Sequence, residues 1–562
     1  MKAAVQGHAI AQYNLGFLYQ HGRGVPLNSS KAMEWYTKAA DQGNANTLFC
    51  LGVMYYHGKD APQDYAKALK CYLKAADQGH AAAQNYSGDM YCEGKGVSQD
   101  IAKAIEWYLK SANQGYPSAQ KNMGHMLIAG KGVPRDPQKA MEWYLQAAEQ
   151  GYAEAQSAIG MVYRGDHGDP QDYQKAMEWY LKATDQGYAM AQCNIGMMYL
   201  DGLGVSQDYQ KATEWFRKAA DQGLAFAQCC IGLMYKDGKG VPVDYQKAME
   251  WGLKAATQGN GNAQCIVGVM YRNGLGVSQD YQKAMGWFRK AADQGLAGAQ
   301  CFIGLMYQEG NGVPVDYQKA MEWYMKAADQ RDAYAQGSIG VMYYCGNGVS
   351  QDYLKAMEWL RKAAEQGESK AQGFIGAMYL NGQGVSQDCQ KAMEWTLKSA
   401  EQREANAQHN MGVMYYCGNG VPQDYLKAME WLRKAAEQGD ADAQESIVAM
   451  YLNGQGVPQD HQKAMEWLRK AAGQGNAKAQ HNLGVMYYCG NGAPQDYLKA
   501  MVWLRKAAEQ GDADAQEGIG GMYLNGQGVP QDRQKAMEWL KKAAEQGNVD
   551  AQGLLTEMNQ NT

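Results

Sequence analysis

No stretch of this 562-residue chain has the run of roughly 18 apolar residues that a membrane-spanning helix requires. Positive charge is not in excess either. There are 53 lysines and arginines against 58 aspartates and glutamates, a formal net charge of -5. The basic field that would hold a nucleic-acid backbone is missing, which argues against nucleic acid as a partner. The N-terminus, "MKAAVQGHAIAQYNLG", has no charged-then-apolar leader. The nine histidines are scattered, and no set of His, Cys, Asp and Glu has ligand spacing. The expectation is therefore no direct membrane span, no metal, no cofactor, no catalytic residue and no small-molecule substrate.

What the chain has in abundance is one sentence, repeated. "YLNGQGVPQDHQKAMEWLRKAAGQG" runs from Tyr451 to Gly475, and near-copies stand 36 residues before it and 72 after it. An anchor glycine recurs every 36 residues from Gly16 to Gly520, with Val448 as the one break and Thr556 in a final half-copy. A fixed period of this length means stacked repeats rather than several separately closed domains. The boundaries read as a partial repeat over 1–7, fifteen repeats over 8–547, and a half repeat over 548–562. Lys2 to Gly7 matches Lys38 to Gly43, so the chain is expected to start inside a repeat.

The copy around Gly232 shows why each unit is a helix pair. In "AFAQCCIGLMYKDG", Ala227, Ile231, Met234 and Tyr235 form one apolar stripe at helical spacing. In "DYQKAMEWGLKAATQG", Tyr245, Ala248, Met249, Ala255 and Ala256 form a second. Asp244 stands at an N-cap position, Gly259 where a helix ends in left-handed geometry, and Glu250 precedes Lys254 at a favourable i, i+4 spacing. Glycine inside a helix costs about 1 kcal/mol relative to alanine. Its return in almost every copy points to another backbone approaching closely, with Ala248 and Ala255 as the matching small surface. All fourteen tryptophans fall at one repeat position, from Trp35 to Trp539, and tyrosine holds another from Tyr19 to Tyr523. Aromatics locked to one phase are packing residues.

Two apparent motifs carry no chemistry. Gly202-Leu203-Gly204 and its equivalents follow a helix, whereas a dinucleotide fingerprint follows a strand and needs a third glycine; these are turns. Cys193, Cys229, Cys265 and Cys301 share one position in four consecutive copies. Equivalent helices stack about 8–10 Å apart, too far for a disulfide or for one shared zinc ion. Unbridged thiols suit a reducing compartment, so a cytoplasmic location is expected.

With these residues in view, the chain resembles the Sel-like repeat (SLR) family, α-solenoid relatives of tetratricopeptide repeats. The pattern is met at Ala227, Ile231, Gly232, Tyr235, Gly238, Gly240, Val241, Asp244, Lys247, Ala248, Trp251, Lys254, Ala255, Ala256, Gln258 and Gly259. Asp60, Asp166 and Asp169 depart from the loop pattern, and Arg331 and Arg403 replace the terminal glycine. The fold expected is all-α: a right-handed superhelical α/α solenoid of 36-residue helix-turn-helix repeats. The resemblance implies a non-enzymatic scaffold or adaptor that binds a protein or peptide on its concave face. Family roles lie in protein quality control, signalling, cell-wall synthase regulation and bacterial contact with hosts. Two alternatives stand beside it. One is a hydrolase of the family's cysteine-rich, β-lactamase-like branch, whose disulfide pairing this chain lacks; the other is a structural spacer with no specific partner.

If constant positions build the solenoid, the variable ones on the first helix carry specificity. Four residues after the anchor glycine, the C-terminal copies alternate Tyr344, Leu380, Tyr416, Leu452, Tyr488 and Leu524. Three before it they read His409, Glu445, His481 and Glu517. One reading is a relic of a duplicated 72-residue unit; the other is a partner site on an exposed concave face. On the second reading, Tyr416 and Tyr488 are expected to be exposed, with Tyr415 and Tyr487 in the core.

Overall fold

Each second helix starts at the aspartate that the sequence supplies for it, or, for Ser29–Ala40, at Asn28. Asp244 is extended, at φ -146° and ψ 93°, and its side chain accepts a 3.0 Å hydrogen bond from the Lys247 backbone N–H. The first helix of the same copy, Ala225–Asp237, stops at Gly238, whose φ of 68° an L side chain rarely adopts. Repeated from end to end, these signals give 32 helices in the computed structural model, which describes residues 1–58, 62–166 and 171–560. No strand occurs among the described residues. The fold is an all-α array of helix pairs that repeat every 36 residues. It divides into two compact units, Met1–Ala284 and Met285–Thr562.

The anchor glycine is explained by the residue twenty positions later. A Cβ on Gly160 would lie 2.5 Å from the ring of Tyr180, and one on Gly304 would lie 2.8 Å from that of Tyr324. Both tyrosines are fully buried. In later copies a leucine takes this place, as at Gly412 against Leu432. The expected backbone approach recurs, with Ala428 O 3.2 Å from the Cβ position at Gly412, and in the Gly232 copy it is the nearest contact. There the opposing residue is Gly252, and the approach is to Ala248 O at 3.2 Å and Gly252 N at 3.4 Å. In most copies, then, the missing side chain makes room for an aromatic ring or a leucine.

The tryptophans are half-buried, and the residue that follows each of them is the buried one. Trp215 packs against the core that its own Ile195 and Met198 share with Tyr180 of the preceding copy, and Trp359 does the same where Ile339 and Met342 meet Tyr324. Lys254 Nζ lies 4.1 Å from the centroid of Trp251, so the lysine stem covers the ring that the core leaves exposed. The Glu–Lys pairing expected at this spacing closes in Glu34–Lys38 at 2.7 Å and in Glu358–Lys362 at 2.8 Å.

Neighbouring copies are also tied by buried glutamines. Gln228 Nε2 donates to Ala220 O at 3.2 Å, and its Oε1 accepts from Gln258 at 2.8 Å. Within single copies the same glutamine pair closes between Gln300 and Gln330 at 3.0 Å and between Gln480 and Gln510 at 2.8 Å. A buried amide needs such partners to avoid a desolvation penalty. The copy that carries Val448 keeps the link to its predecessor, Gln444 Nε2 donating to Ala436 O at 3.1 Å, but Gln444 Oε1 is buried without a partner. Its helix pair, Ala441–Asn453 and His461–Gly473, also packs less closely than the pairs of the copies on either side. Valine fills the space that glycine leaves open elsewhere.

Arg331 and Arg403 adopt the left-handed conformation of the glycines they replace, with φ of 63° and 67°. Asp166 closes its altered loop by accepting from Arg164 Nε at 2.6 Å. Asp60 and Asp169 lie outside the described residues.

Candidate functional site

Within the C-terminal unit the first helices of adjacent copies approach one another. Ala333–Cys345 meets Ser369–Asn381, Ala405–Cys417 meets Ala441–Asn453, and Ala513–Asn525 meets Val549–Gln560. Their variable positions therefore share one face, and all ten candidate residues lie on it, each half-buried.

The tyrosines are more engaged than free surface residues. The Tyr344, Tyr416 and Tyr488 phenols donate to Oε1 of Gln383, Gln455 and Gln527 in the next copy, at 2.8, 2.7 and 2.8 Å. Each ring also stands edge-on to a tyrosine of its own copy, Tyr353, Tyr425 or Tyr497, at 5.2–5.4 Å between centroids. Burial raises the Tyr344 phenol above its ordinary value, and the nearby Tyr353 adds to the shift. The expectation of exposed Tyr416 and Tyr488 is thus corrected: both bridge repeats. Tyr487 is buried as expected, while Tyr415 is half-buried like Tyr416. Leu380, Leu452 and Leu524 pack against the same cores.

Four of the ten residues converge on one feature. His481, Tyr488, Glu517 and Leu524 line a groove of about 440 Å³, together with Val485, Asp514, Gly518, Gly521 and Leu554. The other six lie elsewhere on the face. Glu445 is held by an ion pair to Lys478 of the following copy. Glu517 has no such partner: burial, then the negative charges of Asp550 and Asp514, push its carboxyl above the usual range. Asp514 itself accepts from Asn548 Nδ2 at 2.9 Å.

Two floor residues escaped the sequence reading. Gly518 and Gly521 stand where the copy before has Asn482 and Val485. A Cβ on Gly521 would meet nothing within 4 Å. Unlike the anchor glycine, this one makes room for no neighbour, and the signal was present in "EGIGGMYL", where helix-weakening residues exceed the repeat's own pattern.

No disulfide joins the twelve cysteines, all of which are among the described residues. The out-of-phase Cys230 meets Cys193. Hydrogen bonding to Cys193, with burial, pushes the Cys230 thiol far above the usual range. Burial likewise pushes Cys229 up to about 12 and Cys265 to about 11, the opposite of an activated nucleophile. A Ser-x-x-Lys spacing does occur, from Ser118 to Lys121, but Lys121 Nζ is ion-paired with Glu154 of the next copy at 3.0 Å. Among the described residues no three His, Cys, Asp or Glu are grouped to hold a metal, and no helix is long and apolar enough to cross a membrane.

A model of the Sel1 repeat matches fifteen segments in succession, from 9–44 to 513–548. No curated protein matches the chain. Among solved structures it is similar to a protective antigen present in uropathogenic Escherichia coli strains that displays an SLR fold. The identity is 35%, the TM-score is 0.53, and the match covers 80% of this chain and 97% of that one. A Sel1 repeat protein from Oxalobacter formigenes is 37% identical over 55% of this chain and 90% of its own, with a TM-score of 0.42.

Proposed function

We propose that this chain, which belongs to the Sel1 repeat family, is a non-enzymatic adaptor that holds a protein partner against the first-helix face of its C-terminal repeats. Sel1 repeat proteins are generally protein-interaction scaffolds. The observation that carries the finer reading is the groove in which His481, Tyr488, Glu517 and Leu524 meet. It joins apolar walls to an unpaired carboxylate, the mixture of anchor and polar contact that interfaces use. An extended segment or a helix of the partner is the occupant this face suits, and a reducing, cytoplasmic setting belongs to the same reading. Quality control, signalling and synthase regulation are the roles the family leaves for such an adaptor.

Site-specific photo-crosslinking tests this. Val485 lies on the groove and is 39% exposed, whereas Leu498 opens a second helix and is 68% exposed. A photoreactive residue at Val485 is expected to trap a partner that one at Leu498 does not. Adducts from Leu498 alone, or from neither position, would remove the first-helix face as the site.

A further inference from the structure

The register that links Glu445 to Lys478 recurs along the chain. A residue three before the anchor glycine meets the residue 33 positions on, at the start of the next first helix. Lys121 meets Glu154 there, and Glu445 meets Lys478, each as an ion pair of opposite charges. In the Glu517 copy the same register places Glu517 against Asp550, two acids. Asp514 adds a third negative charge at the groove. The half-buried Glu517 is therefore denied the cation that its equivalent, Glu445, receives from within the chain.

The groove beside it is shaped for a long side chain. Gly518 and Gly521 leave the first helix Ala513–Asn525 bare on this side, and the space above Gly521 is open. Val485, Tyr488, Leu524 and Leu554 supply apolar walls. A lysine or arginine has the matching form, an aliphatic stem that packs on such walls and a charged head that seeks a carboxylate. A glutamate would add a fourth negative charge, and an apolar residue would leave Glu517 desolvated without a partner.

We propose that this groove takes a lysine or arginine of an extended protein segment, flanked by apolar residues, with its charged head on Glu517. The proposal rests on the adaptor reading above and names the chemistry of its partner. Intermolecular pairing completes here what Lys478 does for Glu445 within the chain.

The test uses the full chain and labelled peptides of one frame, Gly-Ser-Leu-Xaa-Leu-Ser-Gly, with lysine, arginine, glutamine or glutamate at the centre. Fluorescence anisotropy is expected to show the lysine and arginine peptides binding at least tenfold tighter than the other two. Glu517→Gln should abolish that preference and leave the glutamine peptide unaffected. Asp550→Lys, a change at an exposed position on the last helix, should do the same by restoring the internal ion pair. Persistence of the preference in both variants would overturn the proposal. Equal binding of all four peptides, lost in Gly521→Leu, would overturn the cation specificity and leave the adaptor reading standing. No binding by any peptide, or binding indifferent to Gly521→Leu, would overturn both.

Discussion

Tyr324 is wholly removed from solvent beneath Gly304, while the adjacent Trp323 is half-buried under Lys326 at 4.1 Å. The Tyr324 phenol also donates to Gln308 Oε1 at 2.8 Å. Truncating a large core aromatic costs about 3–5 kcal/mol, and a half-exposed ring costs less. Tyr324→Ala should therefore destabilise more than Trp323→Ala in denaturant unfolding, although tryptophan is the more regular residue in the sequence. The reverse order would mean that the core is misassigned. Arg331 gives a second residue-scale test. An L residue at φ 63° carries left-handed strain that glycine does not. Part of the gain from Arg331→Gly is offset by the freer unfolded chain, so the net stabilisation should be up to about 1 kcal/mol. A destabilised variant would show that the arginine side chain contributes contacts of its own.

The helices themselves were plain in the sequence, because caps and stripes are local. Asp244 at an N-cap and the glycine stops required only spacing and backbone preference. The buried glutamine links were not readable that way, since Gln228 gains its meaning from Gln258, thirty residues on, across a packed interface. Nor was the bridging role of Tyr416, whose phenol finds Gln455 in the next copy. The caps carry a pH expectation at the scale of the element. Hydrogen bonds from the backbone N–H groups of Lys67, Lys247 and Lys463 hold Asp64, Asp244 and Asp460 below the usual carboxylate range. A carboxyl depressed in the folded state adds stability above its unfolded pKa, about 3.9, and loses it as pH falls through the folded value. Helicity followed by circular dichroism should melt at a near-constant temperature from neutral pH down to about pH 5 and at lower temperatures below about pH 4. A melting temperature insensitive to acid would show that the caps add nothing measurable.

For the whole molecule, the repeat explains both what could be read and what could not. Fifteen copies of one packing solution make the fold legible from composition and period alone. The same regularity hides function, which lives where copies differ. The alternating tyrosines and leucines were visible as variation, and the structure joins His481, Tyr488, Glu517 and Leu524 into one groove. What opens that groove, the bare glycines at 518 and 521, is an absence of side chains that gains meaning only beside the unfilled space. The central claim is that this groove receives the partner, and Gly521→Leu tests it most directly. Leucine favours a helix over glycine by about 0.5–1 kcal/mol, and the Cβ position is unobstructed, so the variant should fold with equal or greater stability. The measurement is quantitative affinity capture with the wild-type chain and Gly521→Leu side by side, each first shown to melt cooperatively. The expected result is a protein of equal or greater stability that loses the partners retained by wild type, and undiminished capture by a well-folded variant would contradict the account.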